Sequence, residues 1–240
     1  MFTAHGKDPI TGLKVMTTFG SNLLPDDGGL VIDSSMTFDA LCHHPKVKAF
    51  SALQMALRIL CAQQTQRQKS IGQVLYQDAA YQGFWGALLA LDAQLVLDHF
   101  GSERVLSLSK VFDPQNQWLK TGEKVKGFYI SQKFCEHSVY QSVDYLRSGQ
   151  AVCGVAAWAQ KTEDRTDSVR VVLSGCTTVP VYLERISNLM VGRECSMEEI
   201  EKVIQRLGEE RLVLHNPQLV IGSHLFNLSK TLIKRALMTL

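Results

Sequence analysis

From residue 125 to the C-terminus the chain sets three strand-like stretches in a row and only then turns helical. The stretches cover residues 125–131, 151–160 and 169–174. Strands that follow one another without intervening helices pair antiparallel, and helices gathered afterwards cover one face, so this order argues for an α+β unit. Helix signals behind the strands are explicit. Ser196-Met197-Glu198-Glu199 has the form of a capping box, with Ile200, Val203, Ile204 and Leu207 on one face behind it and Gly208 as a stop. Leu225, Leu228, Leu232 and Ala236 repeat the helical spacing in the last segment.

The first half alternates elements more evenly. Asp26-Asp27-Gly28-Gly29 is a turn signal, followed by a short strand through Leu30, Val31 and Ile32. A helix is expected next, starting near Ser35 or Thr37 and ending at His43-His44-Pro45. Phe50, Leu53, Leu57 and Leu60 predict an amphipathic helix over 50–62, and 85–91 reads as a short buried helix. Residues 93–97 read as a strand, Gly101 as a turn and 105–108 as extended chain. Breakers at Asp113-Pro114-Gln115-Asn116 and Lys120-Thr121-Gly122 place an expected domain boundary between residues 118 and 119.

Charge and cysteine usage exclude several function classes. A net charge of +2 with scattered Lys and Arg gives no nucleic-acid footprint. Met1 to Pro9 lacks an apolar stretch of signal-peptide type, and no apolar run approaches the roughly 20 residues that span a bilayer. The six cysteines form no CxxC pair, so free thiols in a reducing, cytoplasmic setting are expected. His43-His44 fits a solvated helix end better than a metal site, because adjacent helical positions diverge by about 100°. Trp85, Trp118 and Trp158 are expected in the core or at an interface. No catalytic nucleophile is legible.

Further motifs carry a family resemblance. Ser70-Ile71-Gly72-Gln73-Val74 is followed, at a matching spacing, by Ala87-Leu88-Leu89-Ala90-Leu91-Asp92-Ala93, and Gly101 and Arg104 stand in a G-x-R turn. Val169-Arg170-Val171-Val172-Leu173-Ser174-Gly175 leads to Pro180-Val181 and then Leu189-x-x-Gly192. In order and spacing this resembles the flavoprotein subunit of the molybdenum hydroxylases, the xanthine dehydrogenase and carbon monoxide dehydrogenase group. There a T-I-G-G-N loop leads to an L-L-A-L-D-A segment. The resemblance implies an α+β chain, with 1–118 as the second half of a PCMH-type FAD-binding domain. Residues 119–240 would be a flavoprotein C-terminal-like domain, a three-stranded antiparallel sheet with helices. It implies FAD as cofactor, electron transfer as activity, and molybdenum and iron–sulfur subunits as partners, with self-association as another.

The same resemblance names the candidate cofactor residues Ser70, Ile71, Gly72, Gln73 and Asp78. Glycines in such loops let the backbone reach the pyrophosphate, and backbone N–H groups bind its oxygens. Gln73 stands where the family has a second glycine, and Val74 where it has asparagine. Gln66 stands for an expected arginine, with Arg67 beside it, and Gly83 for an expected acid near the flavin. The first, A-G-G-T type phosphate loop has no counterpart here. Two readings follow: a flavin-dependent redox subunit, or a docking protein that keeps the scaffold without the cofactor. Tyr81, Phe84 and Trp85, beside the loop, are expected either to form an exposed docking face or to fold inward and fill the cleft.

Overall fold

A computed structural model describes residues 24–75, 79–113, 117–145, 151–210, 212–214 and 222–240. Asp78, the breaker at Pro114-Gln115-Asn116 and everything before Leu24 lie outside the described residues. Two four-stranded sheets organise the chain. The first has β1 (Leu30–Asp33), β4 (Lys124–Ile130), β2 (Gln94–His99) and β3 (Ser102–Ser107), in that order across the sheet. The second runs β5 (Ser138–Asp144), β6 (Ala151–Thr162), β7 (Arg165–Ser174) and β8 (Val181–Tyr182). All pairings are antiparallel. The molecule is α+β, as the order of signals implied.

The strand assignment needs one correction. Residues 125–131 were expected in the second, three-stranded sheet. They form β4 instead, at the centre of the first sheet between β1 and β2. Packing explains this: Phe128 and Ile130 are fully buried and face the same side as Leu30, Ile32, Leu95 and Leu97. An inward-facing aromatic and a β-branched residue at alternate positions belong where apolar partners are waiting. The second sheet is completed by β5 and the two-residue β8, neither of which announces itself by composition.

Helices lie between and behind the sheets. They are α1 (Phe38–Cys42), α2 (Ser51–Cys61), α3 (Gln64–Arg67), α4 (Gln82–Ala90), α5 (Leu108–Val111), α6 (Glu184–Met190), α7 (Met197–Ile204) and α8 (Gly222–Thr239). Thr37 caps α1 by accepting from Ala40 N, and Ser196 caps α7 by accepting from Glu199 N. The Glu199 carboxylate turns to Arg193 and Lys202. α4 is buried along its whole length, so it needs apolar surroundings on every side. It finds them between the sheets, where one core joins Leu95 and Phe128 of the first sheet to Tyr140, Ala156, Trp158 and Val172 of the second. Strand β6 alternates: Ala156 and Trp158 face this core, while Cys153, Val155, Ala157 and Ala159 face a second core under α6, α7 and α8. Both faces of the second sheet are therefore covered, in a sheet–helix–sheet–helix stack. No described helix is long and apolar enough to cross a membrane.

Candidate functional site

The loop carrying Ser70, Ile71, Gly72 and Gln73 packs against the segment between β1 and α1. Ser70 precedes a single 3₁₀ turn over Ile71–Val74. The Gln73 side-chain oxygen accepts from Ser70 N at 3.2 Å, one half of a reciprocal cap with the Ser70 hydroxyl. Gln73 N donates to Ser70 O at 3.1 Å. Ile71 N donates to Met36 O at 3.0 Å and Gly72 N to Ser34 O at 2.8 Å. The zipper continues with Phe38 N to Lys69 O at 3.2 Å. All four N–H groups from Ser70 to Gln73 thus have acceptors inside the chain.

The side chains follow from that backbone. Ile71 and Val74 point into the core, 0% and 4% exposed, and Gly72 and Gln73 face solvent. A Cβ at Gly72 would stand 3.0 Å from the Ser34 carbonyl oxygen. Close approach of the loop to Ser34 therefore suffices to favour glycine there. Arg67 lies 3.8 Å from the Asp39 carboxylate, turned toward α1. The family's substituted asparagine position, Val74, is a core residue.

Gly83 opens α4, and a Cβ added there would overlap the hydroxyl oxygen of Tyr140. That phenol is fully buried, and a Cβ on Gly154 would come within 2.5 Å of it. Burial, with Asp144 nearby, pushes the Tyr140 hydroxyl well above the usual phenol range, so it stays a neutral packing group. A cavity of 10 Å³ remains beside it, lined by Ala56, Ile59, Gly83, Phe84, Tyr140 and Asp144 among others. That is about the room of one water. Sequence reasoning missed Tyr140. Its only signal is the pair of glycines whose missing side chains it replaces, and they lie far from it in the chain.

Tyr81, Phe84 and Trp85 are 0%, 1% and 2% exposed. Tyr81 stacks on Phe38 with centroids 5.1 Å apart, Phe84 meets Phe38 edge-on at 5.0 Å, and Trp85 packs against Phe128 at 5.5 Å. Of the two expectations for them, the exposed docking face is corrected: they fold inward, into the core between the sheets. The reason is α4 itself, which has a sheet on either side and no solvent face to offer. Elsewhere, His43 is exposed and its Nδ1 lies 2.8 Å from Asp39 O, at the end of α1. Among the described residues no three His, Cys, Asp or Glu side chains gather to hold a metal. An open groove of 230 Å³ lies between α7 and α8, beyond the second sheet from the loop, lined by Glu201, Ile204, Lys230 and Lys234 among others.

No protein-family model and no curated protein matches the sequence. Solved structures do. Quinoline 2-oxidoreductase from Pseudomonas putida 86 superposes with a TM-score of 0.74 at 16% identity, over 90% of this chain and 76% of that one. A carbon monoxide dehydrogenase from Hydrogenophaga pseudoflava, lacking the Mo-pyranopterin moiety of its molybdenum cofactor, gives 0.76 at 15%, again over 90% and 76%. Reconstituted CO dehydrogenase from Oligotropha carboxidovorans gives 0.72 at 14%, over 86% and 73%. This chain has the fold of those oxidoreductase chains. The likeness extends over about nine-tenths of this chain. At these identities it speaks for the architecture and leaves the chemistry of the loop to its own atoms.

Proposed function

We propose that this chain is a molybdenum-hydroxylase-type subunit acting as a scaffold that docks its partner subunits, and that the Ser70–Gln73 loop does not hold FAD. One observation carries the reading: the four successive N–H groups of that loop are already donated to Gln73, Met36, Ser34 and Ser70. A pyrophosphate is held by backbone donors turned outward. To bind one here, the loop must first break the hydrogen bonds that join it to the segment before α1. Each is worth about 0.5–1.5 kcal/mol net, and donors without acceptors cost more. Gln73 adds a side chain where the family has none. Val74, buried in the core, has no amide to offer.

The fold supports the subunit part of the proposal. The scaffold is kept over nine-tenths of the chain, while the elements nearest the expected cofactor are closed by this chain's own residues. Gly83 is covered by Tyr140, and the space beside α4 is filled by Phe84 and Trp85. The competing reading, a redox subunit that takes up FAD with a partner's help, draws on the fold and on the motif resemblance.

Titration of the purified chain with FAD, followed by flavin fluorescence, tests the proposal. The expected result is no saturable binding at micromolar flavin and no visible absorbance in the protein as isolated. Stoichiometric flavin retained through gel filtration overturns it. Flavin found only in a complex captured from cells would favour the partner-assisted redox reading.

A further inference from the structure

Cys153 and Cys176 are a buried cysteine pair whose chemistry the scaffold reading leaves unused. Their sulfurs lie 3.5 Å apart, and both side chains are fully buried in the second core. The backbone brings them together in a particular way. Strands β6 and β7 pair Gly154 with Ser174, and a straight continuation of that register would set Cys176 opposite Val152. Gly175 breaks the register at φ +78°, where a Cβ would stand 2.8 Å from Ala151 O, so glycine is required for Cys176 to swing over Cys153.

Ser229 is the third member. Its hydroxyl oxygen is 3.5 Å from the Cys153 sulfur and 3.7 Å from the Cys176 sulfur, and it donates to Leu225 O at 2.8 Å. The buried face of α8 is otherwise apolar, made by Leu225, Leu232, Ile233, Ala236 and Leu237. Cysteines that merely fill a core behave as small hydrophobes and ask for no hydroxyl beside them. Here a fully buried serine touches both sulfurs.

We propose that Cys153 and Cys176 form a reversible disulfide when the chain meets a hydroperoxide, with Ser229 positioning the pair. The Cys176 thiolate attacks one oxygen of hydrogen peroxide. The O–O bond breaks, and hydroxide leaves and takes up the thiol's proton as water, giving a sulfenic acid. The Cys153 sulfur then attacks Cys176, the S–O bond breaks, and a second water leaves with the Cys153 proton. Two thiols lose two electrons and one peroxide becomes two waters, so the step balances. The sulfurs must close by about 1.5 Å to reach bonding distance. A water-sized oxidant suits a pair this well buried. Cys176 is the first to ionise: the hydrogen bond with Cys153 holds its thiol below the usual range despite burial. The same bond and burial push Cys153 up.

The full-length reduced chain is treated with hydrogen peroxide, its remaining thiols are alkylated after unfolding, and linked peptides are read by mass spectrometry. The 153–176 linkage is expected, and the half-buried Cys42 and Cys61, whose thiols also hydrogen-bond, form the comparison pair. Cys153→Ser, which keeps a hydroxyl donor beside Cys176 but cannot form the disulfide, should leave Cys176 as a sulfenic acid that dimedone captures. Ser229→Ala, which removes the hydroxyl packed against both sulfurs, should slow linkage. Cys153 and Cys176 both remaining alkylatable while other thiols oxidise overturns the proposal. A Ser229→Ala chain that links at the wild-type rate removes the serine from it.

Discussion

At position 83 a missing side chain does structural work. Glycine there lets the Tyr140 ring lie across the start of α4, and the hydroxyl occupies the place a Cβ would take. Gly83→Ala should therefore lower stability by about 1–3 kcal/mol, the usual cost of overpacking a filled core. Chemical denaturation would show it as a shifted midpoint with an unchanged slope, and an unchanged midpoint would contradict the packing. A second residue, Asp27, contributes to acid behaviour. Burial alone would raise its pKa, but hydrogen bonds from Ser131, Tyr129, Gly29 N and Gln132 N outweigh it and hold the carboxyl below the ordinary value of 3.8. Glu123 is lowered further, to about 2, first by its hydrogen bond from Arg104 and then by Lys120 N. Both folded-state pKa values are depressed. Their stabilisation is thus complete above the unfolded pKa values, near pH 4, and is lost as pH falls through the folded ones. Tyr129→Phe removes one donor from Asp27 and should move the acid-unfolding midpoint to higher pH, which circular dichroism against pH would record. A midpoint that stays put would show that the phenol does not act on this carboxylate.

Among the elements, those built from local signals were legible. The spacing of Leu53, Leu57 and Leu60 gave α2 to within a residue or so at each end, and Ser196 gave the start of α7. What was not legible depends on partners distant in sequence. Nothing in Ser70-Ile71-Gly72-Gln73 says that Ser34 and Met36 will accept its protons. Nothing in residues 125–131 says which sheet they join, since a strand of alternating apolar residues suits either. Cys153 and Cys176 meet only because Gly175 breaks a register that the sequence does not display. The loop offers a test at this scale. Substituting Gln73→Gly and Val74→Asn to match the family's T-I-G-G-N pattern should not create a flavin site. It removes the acceptor of Ser70 N and buries an amide at a position 4% exposed. An unsatisfied buried polar group costs about 1–3 kcal/mol, so the double variant should melt lower and stay colourless. A variant that gains tight FAD binding with its melting temperature intact would mean that the loop opens more easily than its hydrogen bonds imply.

Across the whole molecule, α4 decides how the two sheets behave together. It presents apolar surface in every direction, and the core around it draws on both sheets without a break. β4 returns to the first sheet after the chain has left it, and the second sheet begins only at Ser138. A cut near residue 118 would take the central strand away from the first sheet. It would also expose Phe84 and Trp85 on one side and Trp158 and Val172 on the other. Neither fragment could cover that surface alone, and apolar burial is the dominant favourable term in folding. The chain should therefore unfold in one cooperative transition, with near-UV signals from the tryptophans and far-UV signals from the sheets lost at the same temperature. Trp85→Ala should lower stability by about 3–5 kcal/mol, as large truncations in cores do, and lower both signals together. Two separated transitions in calorimetry, with Trp85→Ala moving only the first, would show instead that each sheet folds with its own helices and that α4 merely rests between them.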